Sequence, residues 1–173
     1  PSPVLVRAGD ATLPENLRLD GLLDVKHSLA AAVWESEVLR TVARESGAKR
    51  FTLNSAVRLA CPQGAKLATA KAREDEAAYS YTEYEAALSE VDTARKLAKC
   101  FSDEGSRLTD AHKRDLKEHW RCLADDGSLR PAGELWLLPA ELAQEPLVPA
   151  ESRLHRQLAE FPVFRHVCRA FKV

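Results

Sequence analysis

From Ala65 to Phe101 the chain carries neither glycine nor proline, and it is rich in alanine, glutamate, lysine and leucine. These residues lose little side-chain freedom in a helix, and the two strongest helix breakers are missing. The stretch is therefore expected to be one long helix, or two helices joined at a soft point near Ser80. Gly105 supplies its end. A helical commitment of that length in a chain of 173 residues points to a mainly α fold.

The flanking patterns agree. Asp20 stands before GLLDVKHSLAAAVWESEVLRTVARESG, where Leu22, Leu23, Val25, Leu29, Val33, Trp34, Val38, Leu39 and Val42 keep a helical period and Gly47 is the stop signal. A turn and a short helix over Asn54 to Ala60 follow, broken at Pro62 and Gly64. In LTDAHKRDLKEHWRCLA, Thr109 is the expected N-cap, and Leu108, Ala111, Leu116, Trp120 and Leu123 form one stripe.

Two regions read differently. Pro1, Pro3, Pro14 and the run VLV make residues 1–20 an extended lead-in with room for one edge strand. After Ala124 the Asp126-Gly127 turn pair, Pro131 and the apolar run around Trp136 predict an extended or β element near residues 126–139. AESRLHRQLAEF is expected to be a short helix from near Ala150, and PVFRHVCRAFKV a helix after Pro162 or an apolar strand. The expectation is one helical domain over residues 1–173 with a minor extended element.

With 45% apolar and 29% charged residues the balance is that of an ordinary globular chain. No run approaches the ~18 apolar residues of a membrane span, so no membrane contact is expected and the cytosol is the expected compartment. Cys61, Cys100, Cys122 and Cys168 are scattered without a C-x-x-C pair, which predicts free, buried thiols. Methionine is absent, the chain opens at Pro1 and it stops on an apolar-striped basic stretch. These features suggest a segment of a larger protein, although an opening proline is equally what removal of an initiator methionine leaves.

A net charge of -1 conceals segregation. Between Arg40 and Arg73 eight bases, among them Arg40, Arg44, Lys49, Arg50 and Arg58, face Glu45 alone; between Glu74 and Asp92 seven acids stand without a base. Such blocks either pair across the fold or offer a basic face to nucleic acid or an acidic partner.

Chemistry-bearing residues are few. Tyr79, Tyr81 and Tyr84 are the three tyrosines of the chain, set among acids. They either supply a partner-binding surface or pack along a helix with Leu88. His119 with Cys122 and His166 with Cys168 are unlike pairs more than forty residues apart and do not have the spacing of a compact zinc site. Glycine-rich phosphate loops, G-x-S-x-G and H-E-x-x-H are absent. No metal or cofactor is expected.

Arg114 and His119, in RDLKEH, pair a phosphate-holding side chain with one that moves protons. Their spacing resembles the Arg-x4-6-His motif of the HEPN family of helical ribonucleases. That resemblance implies catalytic roles for Arg114 and His119, support from Asp115, and a second copy across a dimer. The bland alternative is chance spacing on a charged helix. Separately, LADDGSLRPAGELWLLPAE with EVLRTVARESGAKRFTLNSAVRL resembles the helical, non-ATPase regions of large sacsin-like multidomain proteins. This second resemblance implies a non-catalytic module.

The expected function is therefore a protein-interaction or scaffold module that meets a protein partner or other domains of its own chain. The alternatives are a metal-independent RNA endonuclease using Arg114 and His119, and nucleic-acid binding by the basic block.

Overall fold

Ser36 marks where the first described helix begins. Its backbone is extended (φ -97°, ψ 118°) and its hydroxyl accepts the Leu39 N–H at 3.3 Å, a side-chain cap that competes with helix continuation. Helix α1 runs Glu37–Glu45; of the helical run expected between Asp20 and Gly47, residues 20–35 lie outside the described residues, and Ser36 is an N-cap rather than a helix interior position. Its end is the expected one: Gly47 takes φ 98°, a left-handed geometry that glycine adopts without a Cβ penalty. The computed structural model describes residues 12–14, 36–62, 81–142 and 147–171.

The described residues form a mainly α fold with six α-helices and six short strands. Strand β1 (Thr12–Pro14) pairs in parallel with β2 (Lys49–Phe51), with Thr12 opposite Lys49. The lead-in thus contains a strand, while its VLV run lies outside the described residues. Thr52 then caps α2 (Leu53–Ala60) through a capping box: its hydroxyl accepts the Ser55 N–H, and Ser55 accepts the Thr52 N–H, both at 3.2 Å. Leu53 and every residue from Ser55 to Ala60 are buried, which makes α2 a central core helix.

Residues 65–80, with the expected soft point at Ser80, lie outside the described residues. Beyond them the breaker-free stretch forms α3 (Tyr81–Leu88) and α4 (Val91–Asp103), separated at Ser89 and Glu90. Helix α4 buries Ala94, Leu97, Ala98 and Phe101 at helical spacing. Gly105 opens a 3-10 turn that ends the run.

Thr109 caps α5 (Asp110–His119) as expected. The helix stops earlier than its stripe suggested. Trp120 leaves helical geometry (ψ 120°), and Arg121–Leu123 becomes β3, antiparallel to β4 (Leu129–Pro131) with Cys122 opposite Arg130. The hairpin turns at Gly127 (φ 85°), where the Asp126 carboxylate accepts both the N–H and the O–H of Ser128. Strand β5 (Trp136–Leu137) pairs in parallel with β6 (Arg169–Ala170), so the extended part of the molecule is larger than residues 126–139 alone.

The segment expected to be helical from Ala150 forms only a 3-10 turn, Ala150–Ser152. The Leu154 N–H donates to the Trp136 carbonyl and the His155 N–H to the Leu123 carbonyl, so cross-chain acceptors replace the i-4 carbonyls a helix needs. The closing stretch supplies both expected alternatives, a short helix α6 (Phe164–Val167) and then β6.

Trp120 occupies the centre of the core. Its ring stacks on Phe164 (5.0 Å between centroids, 18° between planes) and meets the edge of Phe101 (5.1 Å, 70°). Such pairs add about 1 kcal/mol each beyond the area they bury. Leu59, Leu97, Leu116, Leu135 and Leu158 complete the buried cluster around them.

Candidate functional site

Helix α1 buries none of its residues. Val38 and Val42 lie one turn apart, Leu39 lies beside them, and the three are 71%, 53% and 45% exposed. The sequence marks them as a core stripe; among the described residues nothing covers it. Aliphatic side chains of this size, contiguous and in water, are the signature of a contact surface. Arg40 and Arg44, also one turn apart, project from the other side of the helix, and the exposed Lys49 follows directly in β2. The apolar stripe thus occupies one side of the helix and the basic pair the opposite side. The Arg44 guanidinium lies 3.5 Å from the Thr41 hydroxyl, which keeps it on the helix surface.

The remaining basic residues separate. Arg50 is half-buried in β2, and Arg58 is buried at 7% exposure inside α2, facing core rather than solvent. Arg58 therefore drops out of the expected nucleic-acid set: on a helix that buries nearly every residue its head group is enclosed, and a phosphate cannot reach it.

Arg114 and His119 do not converge. Five positions on a helix turn the second side chain about 140° from the first, and in α5 Arg114 is exposed while His119 is half-buried with its Nε2 3.7 Å from Glu118. Asp115, the expected supporting residue, is buried at 2% on a different face. The geometry thus lacks a shared point at which one phosphate could meet both groups of one chain. Tyr79 lies outside the described residues; Tyr81 and Tyr84 fall in the first turn of α3, two turns and one turn before the buried Leu88.

A polar seam joins α2 to α5, and no sequence pattern announced it. The Thr109 N–H donates to His112 Nδ1 at 3.1 Å, which leaves that nitrogen unprotonated and puts the ring hydrogen on Nε2, 2.9 Å from the Asn54 side-chain oxygen. Burial pulls His112 below its ordinary pKa, with the Asp115 carboxylate opposing the shift. The Cys61 thiol donates to the Asp115 backbone carbonyl at 3.8 Å. These are the bonds of a satisfied helix–helix contact.

All four cysteines are free and buried, as expected. Burial pushes every thiol up: Cys100 and Cys168 reach about 12, and Cys122 is raised further by the neighbouring Cys168 and Cys61. Thiols so disposed are poor nucleophiles. Among the described residues no group of three or more His, Cys, Asp or Glu can hold a metal ion, and no helix is long and apolar enough to cross a membrane. No family model, curated protein or solved structure matches the chain.

Proposed function

We propose that the chain is a non-catalytic helical interaction module whose working surface is the Val38, Leu39 and Val42 stripe of α1. The observation that carries this reading is the exposure of three large aliphatic side chains on one face of a capped helix. The partner that fits is an amphipathic helix with its own apolar stripe flanked by carboxylates. Its apolar face covers the valines and leucine, and its negative charge is drawn to the basic opposite side of α1 at longer range, which sets encounter rate more than affinity. Another domain of the same protein would meet this description as well as a separate protein does.

The test titrates the protein with a helical peptide bearing a leucine stripe flanked by glutamates, with a peptide of the same composition but scattered leucines, and with single-stranded RNA. The stripe peptide is expected to bind saturably with weak salt dependence, and Val38→Ser with Val42→Ser to abolish it. Equal binding of the two peptides overturns the reading. So does tight RNA binding that falls steeply with salt and that Arg40→Gln with Arg44→Gln weakens while the valine changes do not. RNA cleavage lost in His119→Ala would restore the ribonuclease alternative.

A further inference from the structure

The end of α4, the first turns of α5 and the short helix α6 line a partly open cavity of ≈ 80 Å³, with His166 exposed at its rim. Its apolar lining includes Phe101, Leu108 and Val167, all buried core residues. Its polar lining consists of Ser102, Lys113 and His166. Ser102 Oγ accepts the Val163 N–H at 3.2 Å, so its hydroxyl hydrogen is still available to donate. Neither the Lys113 ammonium nor the His166 ring has a hydrogen bond or ion pair among the described residues, whose side-chain contacts leave both unengaged.

The chemistry is one-sided: three groups able to donate, and no carboxylate in the lining. Nearby acids are already engaged, Glu104 with Arg107 at 2.7 Å and Asp103 with Lys99. Donors with no internal acceptor, grouped over an apolar floor, suit an anion that carries an apolar tail. The volume is well below the roughly 300 Å³ of ordinary cofactor pockets, so the tail must be short.

We propose that this cavity binds a carboxylate attached to a short branched apolar group. The carboxylate rests on Lys113, His166 and Ser102, and the branched tail on Phe101, Leu108 and Val167. A small free acid and the C-terminal residue of a peptide share this chemistry. The site uses no residue of α1, so its success or failure is independent of the interaction surface proposed above.

Gly105 lines the cavity, and a Cβ placed there meets nothing within 4 Å, so Gly105→Leu adds bulk beside the cavity without displacing backbone. The experiment follows the backbone amide signals of Gly105, Lys113, His166 and Val167 by NMR during titration with isovalerate, isovaleramide, inorganic phosphate, and a valine-terminated tripeptide with a free or an amidated C-terminus. Isovalerate or the free-acid tripeptide is expected to shift these signals saturably at millimolar concentration, the tighter of the two naming the source. Lys113→Gln is expected to weaken binding by about ten-fold or more, and Gly105→Leu to abolish it while the remaining spectrum stays native. Binding of the amides as tight as that of the acids, binding of phosphate as tight as that of isovalerate, or no saturable shift with either acid overturns the proposal.

Discussion

His112 and Asn54, 58 residues apart in the chain, are joined by a 2.9 Å contact from imidazole Nε2 to the amide oxygen, while the other ring nitrogen closes the capping box of α5. One neutral imidazole therefore both starts a helix and ties it to α2.

That arrangement gives a pH dependence of known sign. Burial lowers the folded pKa of His112 beneath its ordinary 6.5, so the unfolded chain takes up the proton first. The stability it contributes is present above 6.5 and is lost as pH falls from there through the folded value. The denaturant midpoint of the wild type is expected to decline over that range and that of His112→Gln to decline less; a midpoint that rises on acidification would contradict the neutral imidazole.

The thiols act at the other end of the scale. Cys100 and Cys168 are raised from 9.0 to about 12, so the folded state holds their protons longer than the unfolded one. Their contribution is complete below 9.0 and is lost as pH climbs towards 12. Alkaline unfolding should therefore set in above 9.0. A thiol reagent at neutral pH should label the native protein slowly and the denatured protein rapidly; fast labelling of native protein would show the thiols to be accessible.

Three glycines are expected to answer differently to alanine. At Gly133 a Cβ falls 2.7 Å from the Lys117 backbone carbonyl, and the substitution should cost about 1–3 kcal/mol because the contact is with backbone of α5. At Gly127, with φ 85° and open space, left-handed strain alone should cost about 1 kcal/mol. Gly105→Ala should be neutral or stabilise by up to about 1 kcal/mol through the unfolded chain. Urea unfolding of the three variants ranks them.

Trp120→Ala removes the ring held between Phe101 and Phe164 and should cost about 3–5 kcal/mol. Trp120→Phe retains one stacked contact and should lose less. Chemical unfolding checks the order, and equal losses would show that a phenyl ring at this position recovers none of the packing.

Val38→Ser with Val42→Ser should change stability by no more than about 0.5 kcal/mol, since both side chains are more than half exposed. A loss of several kcal/mol would mean that the stripe belongs to the core of the folded chain.

Signals confined to a few neighbouring residues were legible in the sequence. Thr109 caps a helix because its own hydroxyl reaches the His112 N–H; Gly47 and Gly127 occupy left-handed positions, and Gly105 opens the 3-10 turn at the end of α4. The buried free thiols followed from their scatter. The site residues were harder to read. Arg58 looks like its basic neighbours in the sequence and is enclosed, whereas Lys113 and His166, 53 positions apart, carry no common motif and meet at one cavity.

By itself the sequence determined the mainly α character, the Thr109 cap, the stops at Gly47 and Gly105, and the hairpin turn, because each depends on dihedral preference and hydrogen bonds within one turn of chain. Only the tertiary structure decided that α5 ends at His119, that Arg153 and Leu154 form β-bridges instead of a helix, and which apolar stripe faces water. There the competing partners are distant in sequence: Leu123 and Trp136 offer carbonyls to His155 and Leu154, and Trp120 turns out of the helix into the space between Phe101 and Phe164. An amphipathic pattern shows that a face is apolar; what covers it depends on how the rest of the chain fills the core.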